Sequence, residues 1–192
     1  IEGQRTSGLL LFYAGCGLGA LTKGPLGIAL PLLALAGYIM FSRRWRLAWK
    51  MRPFAGALIV CIIVGLWAAP VVILTRGQYF YELIWVRTIE PLFTPLQGHG
   101  GSDLLQYILT IPVYVPILLI AVSPWGILLV QAFRGVQAEG ARSDRPALLW
   151  GWALAQLVAF SLVRTKLPHH ILPLLPPVAI AVGRFLAEAV KQ

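Results

Sequence analysis

Of 192 residues, 58% are hydrophobic and only 12% are charged, with a mean hydropathy of +0.78, a balance that excludes a soluble globular domain. The 16 Lys and Arg exceed the 7 Asp and Glu for a net charge of +9, but the cations sit in short loops between apolar runs, where they set membrane topology rather than grip nucleic acid. Cys16 and Cys61 both fall inside apolar runs and are read as small buried hydrophobes, with no disulfide, metal or redox role.

Apolar runs of roughly 17 to 25 residues cross a bilayer as helices. Six are predicted here, over residues 8–21, 25–41, 54–74, 104–133, 147–163 and 171–190. The chain opens on Ile1 without a charged leader or cleavage site, and is read as a fragment of a longer polytopic protein. Its first span carries Gly8, Gly15, Gly17 and Gly19, small residues that let membrane helices approach closely, so it is expected inside a bundle. Thr22-Lys23-Gly24-Pro25 follows. Proline suits the first turn of the next helix, which puts the Lys23 amine beside a helix N-terminus that favours anions; a lysine snorkelling at the end of a span is the plainer use of the same residue.

Between spans two and three, residues 42–52 hold five cations and no acid, which marks them as cytoplasmic. Alternating six helices from that anchor leaves 11 cations inside and 5 outside (Lys23, Arg76, Arg87, Arg164 and Lys166), in agreement with the positive-inside rule. The outer loop over residues 76–103 is too aromatic for a plain linker. Tyr79, Phe80, Tyr81 and Trp85 precede Arg87 and Glu90, and Pro91, Pro95 and Gly98-His99-Gly100-Gly101 then break any helix. A short interfacial helix followed by a glycine-hinged loop fits this pattern, as does a simple aromatic anchor belt. In the fourth span Pro112, Pro116 and Pro124 each remove a backbone donor and favour a kink. At about 1.5 Å per residue that run measures about 45 Å against a hydrocarbon core of about 30 Å, so its outer end is expected to protrude or tilt.

The last outer connection, Arg164-Thr165-Lys166-Leu167-Pro168-His169-His170-Ile171-Leu172-Pro173, sets two cations and two imidazoles where bilayer meets water. Ionisable groups there cost free energy unless they reach water, a partner or a charged ligand, and an anionic lipid headgroup is the evident partner. A phosphate at a bilayer surface calls for nearby cations, Lys as a movable point charge and Arg as a bidentate fork, and cations that steady a leaving phosphate lower the barrier directly. His169 and His170 are adjacent, so on a helix they point about 100° apart and do not chelate one metal together; hydrogen bonding is the expected use, and a divalent metal stays open. His99, in its glycine-flanked loop, suits phosphate or sugar hydroxyls. Glu90 and Asp103 are the outer acids nearest to it, Glu90 lying at i,i+3 from Arg87 and expected to pair with it rather than act as a base. The chain has no Walker loop, HExxH or GxSxG, so nucleotide hydrolysis and the common protease and esterase chemistries have no support.

Gly19-Ala20-Leu21-Thr22-Lys23-Gly24-Pro25, the stretch from Trp85 to Gly101 leading into Tyr107, Pro124-Trp125, and Lys166-Leu167-Pro168-His169-His170-Ile171-Leu172-Pro173 together resemble the polyprenyl-phosphate-dependent glycosyltransferases of the GT-C superfamily. Within it, the resemblance is to bacterial relatives of protein O-mannosyltransferases (glycosyltransferase family 39) and to lipid A aminoarabinose transferases, along nearly the whole chain. It implies an all-α polytopic transmembrane helix bundle, with an extracytoplasmic interfacial helix and loop, that transfers a sugar from a polyprenyl-phosphate donor to an extracytoplasmic lipid, glycan or protein. Such proteins place groups near the lipid phosphate or sugar at positions matching Lys23, His99, Tyr107 and Lys166; His169 falls in the last motif, and Arg164, two residues before that motif, is a candidate from its place at the interface. Many relatives read Arg-Phe after the interfacial helix where this chain reads Glu90-Pro91-Leu92-Phe93, which leaves Arg87, one turn earlier, as the substitute cation. The essential acid of such proteins sits in a first outer loop with no counterpart here, so residues 1–192 are expected to be the C-terminal membrane portion and to hold half a site.

A lipid transporter or flippase is the alternative from another class, and would favour ionisable residues near span centres and related halves; here the charges cluster at one face and no repeat is present. A non-catalytic scaffold would tolerate replacement of the outer cations. The topology is checked with single cysteines at Ser42 and Gly100 in a background lacking Cys16 and Cys61. An impermeant thiol reagent applied to intact cells should label Gly100→Cys and spare Ser42→Cys, and the reverse pattern overturns the assignment.

Overall fold

The computed structural model describes residues 2–94, 104–138 and 144–190, and every regular element among them is helical. In chain order these are α1 (Glu2–Lys23), α2 (Pro25–Ser42), α3 (Arg46–Lys50), α4 (Pro53–Thr75), α5 (Gln78–Tyr81), a π-helical stretch (Glu82–Ile89), α6 (Glu90–Phe93), α7 (Leu104–Thr110), α8 (Tyr114–Ala121), α9 (Leu129–Ala138), α10 (Arg145–Leu162), a 3-10 stretch (Pro168–Leu174) and α11 (Leu175–Ala189). All six predicted apolar runs are helical. Pro25–Ser42, Pro53–Thr75 and Pro168–Ala189 are long and apolar enough to cross a membrane. The fourth run differs from the single kinked helix expected. Tyr107–Ala121 and Trp125–Ala132 meet at a bend of 111°. The break falls where Pro124 has no N–H to continue the ladder.

The chain divides into two compact units, one of Ile1–Leu32 with Arg44–Pro91 and one of Leu33–Arg43 with Leu92–Gln192. In the first, α1 and α4 run in the same sense, with Tyr13 against Gly56 and Gly17 against Ile63. The ring of Tyr13 lies where a Cβ on Gly56 would stand, 2.1 Å from it, and its hydroxyl donates to the Met51 carbonyl at 3.0 Å. Cys16 is buried on the same face, as expected, whereas Cys61 is exposed because it faces away from α1. Only part of the glycine-rich face is used in packing: nothing lies within 4 Å of a Cβ on Gly8 or Gly15, and Leu10, Leu11 and Leu18 are exposed.

Gly24 ends α1 in the left-handed region (φ +63°), its N–H bonded to the Ala20 carbonyl at 2.8 Å, and Pro25 opens α2. The hairpin is tight because Gly19 and Gly27 face each other, a Cβ on Gly27 falling 2.0 Å from the Gly19 carbonyl oxygen. Arg76 (φ 51°) and Gly77 (φ 81°), both left-handed, end α4 and start the helix that runs from Gln78 to Phe93. Trp67, Tyr79 and Phe80 cluster at that corner, with the Trp67 and Tyr79 rings 5.7 Å apart and edge to face. The expected interfacial helix is therefore present as a helix; the expected glycine-hinged loop, with His99 and Asp103, lies outside the described residues.

In the second unit, Leu129 and Ala132 of α9 and Leu149 of α10 pack on Val178, Ala181 and Val182 of α11. Gly37 of α2 meets Gly151 of α10 backbone to backbone, a Cβ on Gly37 falling 2.1 Å from the Gly151 carbonyl oxygen. Since a membrane offers little hydrophobic drive between helices, such close approaches carry the packing. Gly37→Ala should lower stability in detergent by about 1–3 kcal/mol, because two backbones must separate. Gly183→Ala, with nothing within 4 Å, should raise it by about 0.5–1 kcal/mol through helix propensity. Unfolding midpoints that move in the same direction for both variants refute the contact.

Candidate functional site

α10 stops at Leu162 because Val163 turns extended (φ −69°, ψ 137°). The last carbonyls of a helix have no partner inside it, and residues 163–165 offer no glycine for a left-handed cap. Side chains supply the donors. The Lys166 ammonium reaches back to the carbonyls of Ser161, in a close contact, and Phe160, at 3.4 Å. The Tyr107 hydroxyl donates to the Leu162 carbonyl at 2.9 Å. A cation at a helix C-terminus also meets the negative end of the helix dipole. The connection that carries Lys166 is pinned to the segment before residue 95: the Arg164 N–H bonds the Leu92 carbonyl at 3.4 Å and the Thr165 hydroxyl the Thr94 carbonyl at 3.2 Å.

Two tyrosines enclose the ammonium. Lys166 Nζ lies 5.7 Å from the centroids of both Tyr107 and Tyr114, and the Arg164 guanidinium carbon 5.3 Å from that of Tyr107. Each cation is within reach of the negative face of a ring. Tyr114, only 1% exposed, accepts the Leu167 N–H at 3.1 Å and has the Leu167 carbonyl and His170 Nδ1 both at 3.2 Å, where its one proton can go to either. His170 stacks on Phe160 at 5.1 Å and meets the edge of His169 at 4.9 Å. Burial pushes the Lys166 ammonium below the ordinary lysine value. Among the described residues no carboxylate pairs with Arg164 or Lys166, and no group of three His, Cys, Asp or Glu converges to hold a metal.

Three of the residues expected from the sequence, Tyr107, Arg164 and Lys166, are thus in one cluster. His169 belongs to the same connection but is exposed, and it is His170 that turns inward. Lys23 is the last residue of α1 and Arg87 lies in the π-helical stretch, both with exposed side chains. Their segments are joined within the first unit by Leu83, which stands 3.3 Å from where a Cβ on Gly24 would be. The expected Arg87–Glu90 ion pair does not form. In a π-helix the hydrogen bonds run i to i+5, as the Thr88 hydroxyl does to the Leu83 carbonyl at 2.8 Å, and residues at i,i+3 swing off each other. Tyr114 and Phe160 were not anticipated. Tyr114 could have been, since it follows Tyr107 by seven residues, two helical turns, and so shares its face.

Tyr114→Phe leaves the buried Leu167 N–H without its acceptor and should cost about 1–3 kcal/mol of stability. Tyr107→Phe, at a more accessible position, should cost less, about 0.5–1.5 kcal/mol. Unfolding midpoints in detergent that reverse this order would mean Tyr107, not Tyr114, anchors the connection.

No family model matches the chain. Curated proteins do. The undecaprenyl phosphate-alpha-4-amino-4-deoxy-L-arabinose arabinosyl transferase of Pseudomonas aeruginosa (strain UCBPP-PA14) is 34% identical over 190 residues, which is 97% of this chain and 32% of that protein. The protein of the same name from Pseudomonas paraeruginosa is 35% identical over 191 residues, 98% of this chain and 32% of its own length. Among solved structures, ArnT from Cupriavidus metallidurans bound to undecaprenyl phosphate superposes with a TM-score of 0.77 at 25% identity, over 93% of this chain and 30% of that one. The chain spans about a third of the length of the relatives it matches. The resemblance read from the Lys23 and Lys166 motifs therefore holds in both sequence and fold: nearly the whole chain is homologous to about a third of the length of undecaprenyl phosphate aminoarabinose transferases.

Proposed function

We propose that residues 1–192 form the C-terminal membrane portion of a glycosyltransferase of the bacterial plasma membrane, which takes a sugar from a polyprenyl-phosphate donor and transfers it to an extracytoplasmic acceptor. The observation that carries this reading is the pair Arg164 and Lys166. Two cations without a carboxylate partner among the described residues are held on tyrosine faces at the end of α10, in a chain similar to proteins named for an undecaprenyl-phosphate sugar donor.

An acceptor hydroxyl or phosphate oxygen attacks the anomeric carbon of the donor. A new carbon–oxygen bond forms there, the bond to the polyprenyl phosphate breaks, and the phosphate leaves with the electron pair. Cations fixed near that phosphate stabilise the charge as it develops. Arg164 presents a fork to the oxygens, and Lys166 retains one of its three N–H donors after serving the Phe160 and Ser161 carbonyls. Lys23 and Arg87, exposed cations of the first unit, and His99, Tyr107 and His169 of the second are the further candidates for binding phosphate or sugar. The acceptor proton goes to a carboxylate supplied outside this chain. The transporter reading draws on no observation of its own, since Arg164 and Lys166 sit at a helix end rather than mid-span.

The two lysines should behave differently in the full-length protein. Lys23 is exposed, so Lys23→Ala should cut turnover while stability stays within about 0.5 kcal/mol. Lys166→Ala removes donors from buried carbonyls and should reduce both, stability by about 1–3 kcal/mol. Transfer from a polyprenyl-phosphate sugar is assayed alongside unfolding, and wild-type turnover in both variants sinks the proposal. Residues 1–192 expressed alone should bind polyprenyl phosphate and transfer nothing; transfer by the isolated chain would place the base within it, with Glu90 and Asp103 the first to mutate.

A further inference from the structure

The second unit holds an apolar cavity of about 400 Å³. It is lined by Leu118 of α8, Leu129 and Arg134 of α9, Ala153 and Leu157 of α10, and Leu174. None of the residues that hold Lys166 lines it. The cavity follows α10 on the N-terminal side of the carbonyls that Lys166 and Tyr107 close, and among the described residues Arg134 is the one charged residue on its wall. The cavity is a half-open apolar groove, with the exposed Arg134 guanidinium on its wall. Such a groove with a cation beside it suits a ligand that has a hydrocarbon tail and an anionic head.

We infer that this cavity binds one acyl chain of an anionic glycerophospholipid, whose phosphate pairs with Arg134. The volume falls in the range of small-molecule sites, about 300–1,000 Å³. Its walls suit a hydrocarbon tail, and Arg134, exposed and with no carboxylate pairing with it among the described residues, suits the headgroup. Basic pockets between membrane helices take anionic headgroups. The cavity runs along the middle of α10, from Trp150 to Leu157, and shares no residue with the cluster at the C-terminal end of α10 proposed for the sugar donor. Its occupant bridges α8, α9 and α10, and so holds the bent segment against the straight helix.

The purified chain is titrated in detergent with phosphatidylglycerol and, separately, with phosphatidylcholine of the same acyl chains, while the unfolding midpoint is followed. Phosphatidylglycerol should raise the midpoint saturably, at about five-fold lower concentration than phosphatidylcholine. Arg134→Gln should erase that difference. Leu157→Trp, which fills the cavity, should abolish the saturable rise for both lipids; if that variant does not fold, the Arg134→Gln comparison alone decides. Equal responses of the wild type to the two lipids, or an unchanged preference in Arg134→Gln, overturn the inference. Displacement of phosphatidylglycerol by stoichiometric undecaprenyl phosphate, with the shift still lost in Leu157→Trp, also overturns it, because the cavity would then hold the donor's tail.

Discussion

The carbonyls at the end of α10 must be paired, and the architecture of the second unit follows from how they are. A helix end leaves its last acceptors without partners in the helix, and each one that is buried without a donor costs about 1–3 kcal/mol. Lys166 and Tyr107 solve the problem from different parts of the chain, one from the connection that follows α10 and the other from α7. That requirement draws α7 against the end of α10. The Tyr107 ring arrives with its hydroxyl, and so becomes a platform for Arg164 and Lys166.

The same device links stability to chemistry. Lys166 is 9% exposed and committed to two carbonyls, so it is not the freely swinging point charge that a membrane-surface lysine suggests. Preorganisation is the gain. A cation fixed by a helix end and two ring faces needs no reordering when charge develops on a leaving group, which is where electrostatic catalysis is most effective. The cost is desolvation, visible as the downward displacement of its pKa by burial. Tyr114 sits beneath this arrangement and connects it to the stacked His170 and Phe160, so the connection is tied to the bundle at several points rather than left as a loop.

Close backbone contacts do for the helices what the side chains do for the connection. At Gly19 with Gly27 and at Gly37 with Gly151 the backbones come nearer than any Cβ permits. One contact sets the hairpin that carries Lys23; the other sets the crossing of α2 and α10 within the second unit. Both follow from small residues at helical spacing, since packing and not hydrophobic transfer holds helices together in lipid.

By itself the sequence determined the class, the helical character of the apolar runs and the residues around which a site could form. Composition excludes water as the solvent, apolar length gives the six runs, and ionisable residues at their ends are rare enough to single out Lys23, Arg87, Arg164 and Lys166. It also marked the proline at which the fourth run breaks. Only the tertiary structure decided the 111° direction of that break, because a missing N–H permits a bend while the packing of Leu129 and Ala132 on Val178, Ala181 and Val182 sets where the chain goes next. It likewise decided that Lys166 turns back onto α10 and that Tyr114 lies under it. Which donor closes a helix end depends on what the fold brings within hydrogen-bond reach, and residues more than fifty positions apart, such as Tyr114 and Leu167, carry no local signal of that meeting.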